Sequence, residues 1–407
     1  MTTADFIGKY LTVRVGDHSL GVRNIAAERP GYTRLRRTTV LMRRFTILLS
    51  FACILTPLHA TSLITVAQLE QFLTSKQVSK QSDAAIADHL KSVRLTEHLT
   101  AQAFVRIKSE TDLGPSTTEQ LRLLAASSIF FPPPSDELPA RAAPDPVSQK
   151  RMIDSAVAFV DGILHRLPDF ISIRTTDSFD NTPESAGPKR AKPKAELHFV
   201  RQTRREIAYR NGQELSDSVS GRSQNSSVPG LTTWGEFGPI LKTVLSDSFK
   251  GSVVWSRWQM SETGGLVAVF SYRVPKSASH YLIDACCFQK SRGDPQSFPF
   301  RDKPGYHGEL FLDPASGDID RVTLEAELSE EDPVMASGIA VQYGRVAIAG
   351  KDYLCPIRGI AISKVHNLEM ELIDKVGPEE HLNQVSFTDY HKFGSTSHIL
   401  TGTSDAK

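Results

Sequence analysis

The chain has 407 residues, with 47 basic and 46 acidic side chains and a formal charge of +1. Nine basic and three acidic residues lie in the first 60, so residues 61–407 carry 38 basic against 43 acidic groups, a formal −5. That mildly acidic remainder gives no electrostatic reason to expect nucleic-acid binding, and its length suits a large core of about two domains.

In chain order, residues 1–41 carry Lys9, Arg14, Arg23, Arg29, Arg34, Arg36 and Arg37 against Asp5, Asp17 and Glu28, with no amphipathic repeat. They are expected to form a non-native or disordered extension outside the fold, upstream of a true start at Met42 or as a long basic leader. Met42-Arg43-Arg44, the uncharged run Phe45–Leu58 and the small Ala60 match the basic, apolar and cleavage regions of a secretory signal. The run has 14 residues, short of the roughly 20 of a spanning helix. Residues 42–60 are therefore read as a signal peptide cleaved near Ala60, leaving a periplasmic or secreted product without a membrane span. Cys53 has no Leu-like residue three positions earlier, which argues against a lipid anchor.

Residues 61–130 are expected to be helical. Thr65 with Gln68 forms a capping box before Leu69, Phe72 and Leu73, at i, i+3 and i+4 spacing. Ser82 opens a second helix containing Ile86, Leu90 and Val93, and Thr96 a third containing Leu99, Phe104 and Ile107. Ser116 with Glu119 forms a box before Leu121 and Leu124. Residues 131–146, with Pro132, Pro133, Pro134, Pro139, Pro144 and Pro146, read as an extended linker or strap. A further helix covers 147–168, with Ile153, Ala156, Phe159, Val160 and Ile163 on one side.

Residues 169–403 read as an antiparallel β domain. Strands are expected over Phe170–Thr176, Ala195–Tyr209, Ser252–Met260, Leu266–Val274, Tyr281–Gln289, His307–Leu312, Ile319–Leu328, Gly338–Ile348, Tyr353–Ser363, Val385–Tyr390 and Ser397–Leu400, with one helix over Phe237–Ser246. Asn211-Gly212 suits a hairpin turn, and Gly350-Lys351-Asp352 joins two further strands. In Ile319–Leu328, Val322, Leu324, Ala326 and Leu328 alternate with Arg321, Thr323, Glu325 and Glu327, so the second set is expected to face water. Consecutive hairpins without crossover helices imply an α+β fold, a helical region followed by one large curved antiparallel sheet.

Candidate sites are sparse. Cys286 and Cys287 share a strand and should face opposite sides, so either one, but not both, could bond Cys355; three small buried hydrophobes is the other reading. Asp313, Asp318 and Asp320 lack the order of a calcium loop and suit a hairpin turn. His381, His391 and His398 lack the spacing of a zinc site. Glu262, Asp284, Glu309, Glu325 and Glu327 have no spacing that selects an acid–base pair, and no nucleophile elbow, phosphate loop or dinucleotide fingerprint is present. No catalytic set, metal site or cofactor is implied. The aromatic residues Trp234, Trp255, Trp258, Phe270, Tyr272, Tyr281 and Phe288 fall on or beside successive strands. In a closed structure they would be core; in an open curved sheet they would line a lipophilic ligand site, for which Trp255, Trp258, Phe270, Tyr272, Tyr281 and Phe288 are the candidates.

The ending Val385-Ser-Phe387-Thr-Asp-Tyr390-His-Lys-Phe393-Gly-Ser-Thr-Ser-His-Ile399 and the hairpin pair Tyr306–Leu328 resemble parts of half-barrel proteins of the lipoprotein-carrier type. Leu167-Pro-Asp-Phe170, Arg174-Thr-Thr176 and Gly235-Glu-Phe237-Gly238 resemble segments of uncharacterised exported bacterial proteins that join a helical N-terminal part to such a half-barrel. The resemblance implies a curved sheet that holds acyl chains, although the helical leader departs from the carriers. The leading expectation is a non-catalytic binding protein for a lipid, a lipoprotein or another lipophilic ligand. A cell-envelope scaffold with protein partners is the alternative, and a hydrolase the third reading.

Overall fold

The computed structural model describes residues 10–15, 62–75, 78–183, 196–215, 230–233, 235–289, 296–368, 370–374 and 377–392. The signal segment 42–60, Trp234, His398 and the strand expected over Ser397–Leu400 lie outside the described residues. The fold is α+β.

Tyr10–Val15 forms β1, although residues 1–41 were expected to stand apart from the fold. The helical part starts with a short parallel pair, β2 (Ser62–Ile64) and β3 (Val93–Leu95). Val93 is therefore in a strand, not in the preceding helix as its spacing suggested. Between them, α1 (Val66–Leu73) carries the expected Thr65–Gln68 capping box, and α2 (Asp83–Lys91) is capped by Ser82.

The next two caps differ from expectation. α3 (Ala101–Glu110) is capped by Thr100, whose hydroxyl accepts from the Ala103 N–H at 3.1 Å. Thr96 instead extends the strand pairing through its N–H to Ile64. α4 (Pro115–Ser127) begins at Gly114-Pro115, and Asp83 of α2 accepts from the N–H groups of Ser116 and Thr117 at 2.8 and 2.9 Å. A carboxylate from another helix thus replaces the local box, as a helix N-terminus favours. Arg106 ties α3 to Glu70 and Glu137, at 2.9 and 2.8 Å.

The proline-rich strap crosses to the edge of the sheet, where the Trp258 indole N–H donates to the Ala142 carbonyl at 2.8 Å and the Arg141 guanidinium lies 4.5 Å from the ring centre. Asp145 then caps α5 (Pro146–Arg166).

The remaining elements are β4 (Phe170–Asp180), β5 (His198–Arg210), β6 (Gln213–Leu215), β7 (Gly230–Thr232), α6 (Pro239–Ser248), β8 (Ser252–Met260), β9 (Leu266–Val274), β10 (Tyr281–Gln289), β11 (Ser297–Asp302), β12 (Tyr306–Leu312), β13 (Ile319–Ala326), β14 (Val334–Ile348), β15 (Lys351–Val365) and β16 (Glu379–Lys392). Ten of these strands form an antiparallel sheet in the order β6-β5-β4-β16-β15-β14-β13-β12-β9-β8, not closed into a barrel. Asn211-Gly212 turns β5 into β6 at positive φ, as expected. The β14–β15 turn sits at Ala349-Gly350, slightly ahead of the expected position. A smaller sheet runs β11-β10-β1-β7, with β1 antiparallel to β10 and parallel to β7.

One face of the large sheet packs with the small sheet, α5 and α6 into the main core, which includes Ala156, Val160, Leu241, Val244, Phe270, Ile283, Leu310, Leu324 and Val341. The opposite face is covered in part by α4 and the chain after it: Leu123, Ala126, Ile129 and Phe130 meet Ala340, Ile360 and Leu382. This second cover overturns the expectation for β13, because Arg321 and Thr323 are buried instead of facing water.

Replacing Trp258 by Ala should lower the free energy of unfolding in urea by about 3 kcal/mol. Because the indole holds the strap, limited proteolysis should then cut first within residues 131–146.

Candidate functional site

The sequence-selected aromatic set lies in one place. Trp258, Phe270, Tyr272, Tyr281 and Phe288 are all 5% exposed or less, and Trp255 packs against the same core. Trp255 meets Trp258 and Phe270 edge-on, with ring centres 4.9 and 5.4 Å apart. The tyrosine hydroxyls are also engaged, Tyr272 with the Thr323 carbonyl at 2.6 Å and Tyr281 with Ser337 at 2.9 Å. α5 and α6 fill the apolar face that these rings share, so the set is interior, the reading first given for a closed structure.

Open space lies on the other face. Because residues directly opposite in an antiparallel pair point to the same side, the register Phe311–Arg321–Gln342–Arg358 across β12, β13, β14 and β15 makes one row of side chains. Gln384 of β16 stands opposite Ile360, two residues beyond Arg358 on the same side of the sheet. Above this row lie α3, α4 and the loop His98–Thr100. The loop is pinned by the His98 N–H to the Pro132 carbonyl at 2.8 Å and by the Leu99 N–H to the Ser128 hydroxyl at 3.1 Å.

A cavity of about 290 Å³ separates the two layers. Leu99, Phe104, Val105, Ala125 and Ile129, with Thr100 and Arg122 beside them, form its helical wall; Ala340 and Ile360 alternate on the sheet wall with Arg321, Gln342, Arg358 and Gln384. A narrower pocket of about 20 Å³ continues past His98 and Arg321 to Gln259, Asp320 and Glu137.

Among the described residues that line the larger cavity, Arg122, Arg321 and Arg358 face one carboxylate, Glu262. Arg321, 6% exposed, lies 3.9 Å from the Phe311 ring centre, a cation–π contact. Its nearest anion, Glu262, is 4.0 Å away and is shared with Arg358 at 3.5 Å. Burial holds the Arg321 pKa below its ordinary value, opposed by Glu262. Arg321 Nε, Gln384 Nε2 and His98 Nδ1 are buried without a hydrogen-bond partner among the described residues. Burial pushes His98 down to about 3, helped by the positive charge of Arg321, so the imidazole is neutral at physiological pH. Burial likewise raises Asp320 to about 6. By contrast, Arg257, in register with Val269 beside the same row, is fully matched by Glu309 and Gln259.

The carboxylates named from sequence do not converge as an acid–base pair. Glu309 binds Arg257, Glu262 lies between Arg321 and Arg358, Asp284 lies 3.8 Å from Arg301, and Glu325 and Glu327 flank His307. A different pair is buried together: burial and the neighbouring Glu236 raise Glu214 far above the usual carboxylate range, and Arg174 lies 3.3 Å from Glu236.

Asp313 accepts from the N–H groups of Ala315 and Ser316 at 2.8 Å each, so its loop is a turn. Among the described residues no three His, Cys, Asp or Glu side chains gather as metal ligands. His381 is buried beside Glu379 at 3.0 Å, and His391 is exposed. Cys355 is a free, buried thiol, pushed up to about 12 by its apolar surroundings, whereas Cys286 is disulfide-bonded. The pairing weighed with Cys355 is therefore not made. The register also shifts between Ala285 and Phe288, which breaks the simple alternation assumed for Cys286 and Cys287.

Sequence reasoning missed His98, Gln342, Arg358 and Gln384 and placed Arg321 in solvent. No local signal marks them, because the site is made by two layers that meet only in the fold. Compared with known protein families, curated proteins and solved structures, the chain matches none.

The neutral His98 gives a signed pH dependence. The unfolded chain takes up a proton below the ordinary value of 6.5, while folded His98 does so only near 3. Stability should fall as pH drops through that window, by at most about 1.4 kcal/mol per pH unit from this group. Urea unfolding of His98→Leu between pH 7 and pH 4 should show a shallower loss than the native chain.

Proposed function

We propose that this chain is an exported, non-catalytic binding protein that holds a lipophilic ligand, or the lipid-modified part of a partner, against its large sheet. The observation that carries the reading is the cavity between α3, α4 and the sheet, of about 290 Å³ and walled on its helical side mostly by apolar residues. Ligand pockets typically span about 300–1,000 Å³, so this space suits one short chain or a small apolar body. Val105 lines it and is 65% exposed, which supports access from solvent. The open antiparallel sheet beneath helices agrees in outline with the half-barrel carriers the sequence resembles, although the ligand site proposed here lies on the face opposite the aromatic set. Export rests on the segment 42–60. No helix of the described residues is long and apolar enough to cross a membrane.

A second reading, a docking module of the cell envelope, draws on Leu63, Phe131 and Val147, large apolar side chains left exposed along the helical part and strap.

Native mass spectrometry of the full chain, purified gently from an envelope-competent bacterial host and followed by organic extraction, tests the first reading. The expected result is a bound lipid-like mass that is lost in Ile360→Glu while circular dichroism is retained. A clean unliganded mass for the native chain would sink it.

A further inference from the structure

We infer that the ligand of this cavity is an amphipathic anion: one carboxylate or phosphate monoester head, seated between Arg321 and Arg358, on a short apolar tail. This inference rests on the binding-protein reading above and narrows its ligand class.

Three observations carry it. First, among the described residues lining the cavity Arg122, Arg321 and Arg358 face a single carboxylate, Glu262, which lies 4.0 Å from Arg321 and 3.5 Å from Arg358, while Asp320, whose charge also acts on Arg321, lines the narrower pocket beside it. A buried cation is costly unless it is paired, and Arg321, 6% exposed, is paired only at the limit of ion-pair distance. Second, Arg321 Nε and Gln384 Nε2, both donors, have no partner among the described residues, and both residues line the cavity. Buried donors left in this way call for an acceptor from a ligand, and an oxyanion accepts from guanidinium groups with the strongest geometry available. Third, polar and apolar groups are segregated. Arg321 and Arg358 stand on the sheet wall, while Leu99, Phe104, Val105 and Ile129 make the helical wall mostly apolar, its one cation, Arg122, being paired with Glu119 at 2.9 Å. Such a site orients a molecule with one charged end, not a uniformly polar or uniformly apolar one.

The remaining orphan atom, His98 Nδ1, belongs to a neutral ring lining the same cavity, and it accepts when the ring proton sits on Nε2 and donates when the proton sits on Nδ1. In the Nε2–H tautomer a phosphate monoester, which retains an O–H in its singly charged form, can satisfy this nitrogen and a carboxylate cannot; in the Nδ1–H tautomer either head can. In the first tautomer the two heads are thus separable by experiment.

Isothermal titration calorimetry of the full native chain with octanoate, octyl phosphate, octanol and inorganic phosphate provides the test. One or both amphipathic anions should bind, with octanol at least about tenfold weaker, the worth of a charge-assisted contact. Arg358→Ala, at a position whose side chain is 62% exposed, should weaken the anions by about tenfold and leave octanol unchanged, with partial recovery in Arg358→Lys. A preference for octyl phosphate that disappears in His98→Leu assigns the phosphate head; octanoate binding that His98→Leu leaves unchanged assigns the carboxylate. Octanol binding as tightly as both anions overturns the anionic head but leaves the lipophilic reading standing. Inorganic phosphate binding as tightly as octyl phosphate overturns the tail and the lipophilic reading with it. Absence of binding by all four overturns both.

Discussion

The packing of α4 and the chain after it on the large sheet is the contact on which the rest depends. The middle strands carry apolar side chains on both faces: Ile339 and Val341 turn toward α5 and α6, while Ala340, Ile360 and Leu382 turn the other way. An antiparallel sheet with one face in water could not hold that second set. Leu123, Ala126, Ile129 and Phe130 cover it. At Gly338 the fit is close enough that a Cβ would lie 2.9 Å from the Phe130 ring, so the glycine serves close approach there.

The same cover draws Arg321 and Gln342 out of water. Within this part of the sheet, two arginines show the two ways of burying a guanidinium. Arg257 is satisfied by Glu309 and Gln259, so its desolvation is offset by charge-assisted bonds. Arg321 has the Phe311 ring beneath it and a distant Glu262, which offset less of that cost. The difference separates a guanidinium matched by its ion pair from one whose Nε has no partner among the described residues and which lines a cavity.

Much of the fold is legible in the sequence wherever the determining interactions are local. The strands Ser252–Met260, Leu266–Val274 and Tyr281–Gln289 have the expected bounds, and Thr65, Gln68 and Ser82 form the expected caps. Where a distant residue decides, local reasoning fails. Asp83 caps α4 from another helix, and β3 is a strand because β2 pairs with it. The site falls wholly in the second class. Arg321 occupies a polar position in a clean alternating strand, and alternation cannot tell a face in water from a face covered by residues two hundred positions earlier. The aromatic rings misled for the reciprocal reason: their spacing reports a shared apolar face, but not the helices that fill it.

The position of β1 ties the start of the chain to the small sheet. It lies between β10 and β7, and its pairing with β7 is parallel. A chain without residues 1–60 would therefore lack the strand that joins β10 to β7. A chain shortened in this way would present Tyr281–Cys286 of β10 as an unsatisfied backbone edge, of the sort that recruits a strand from another molecule.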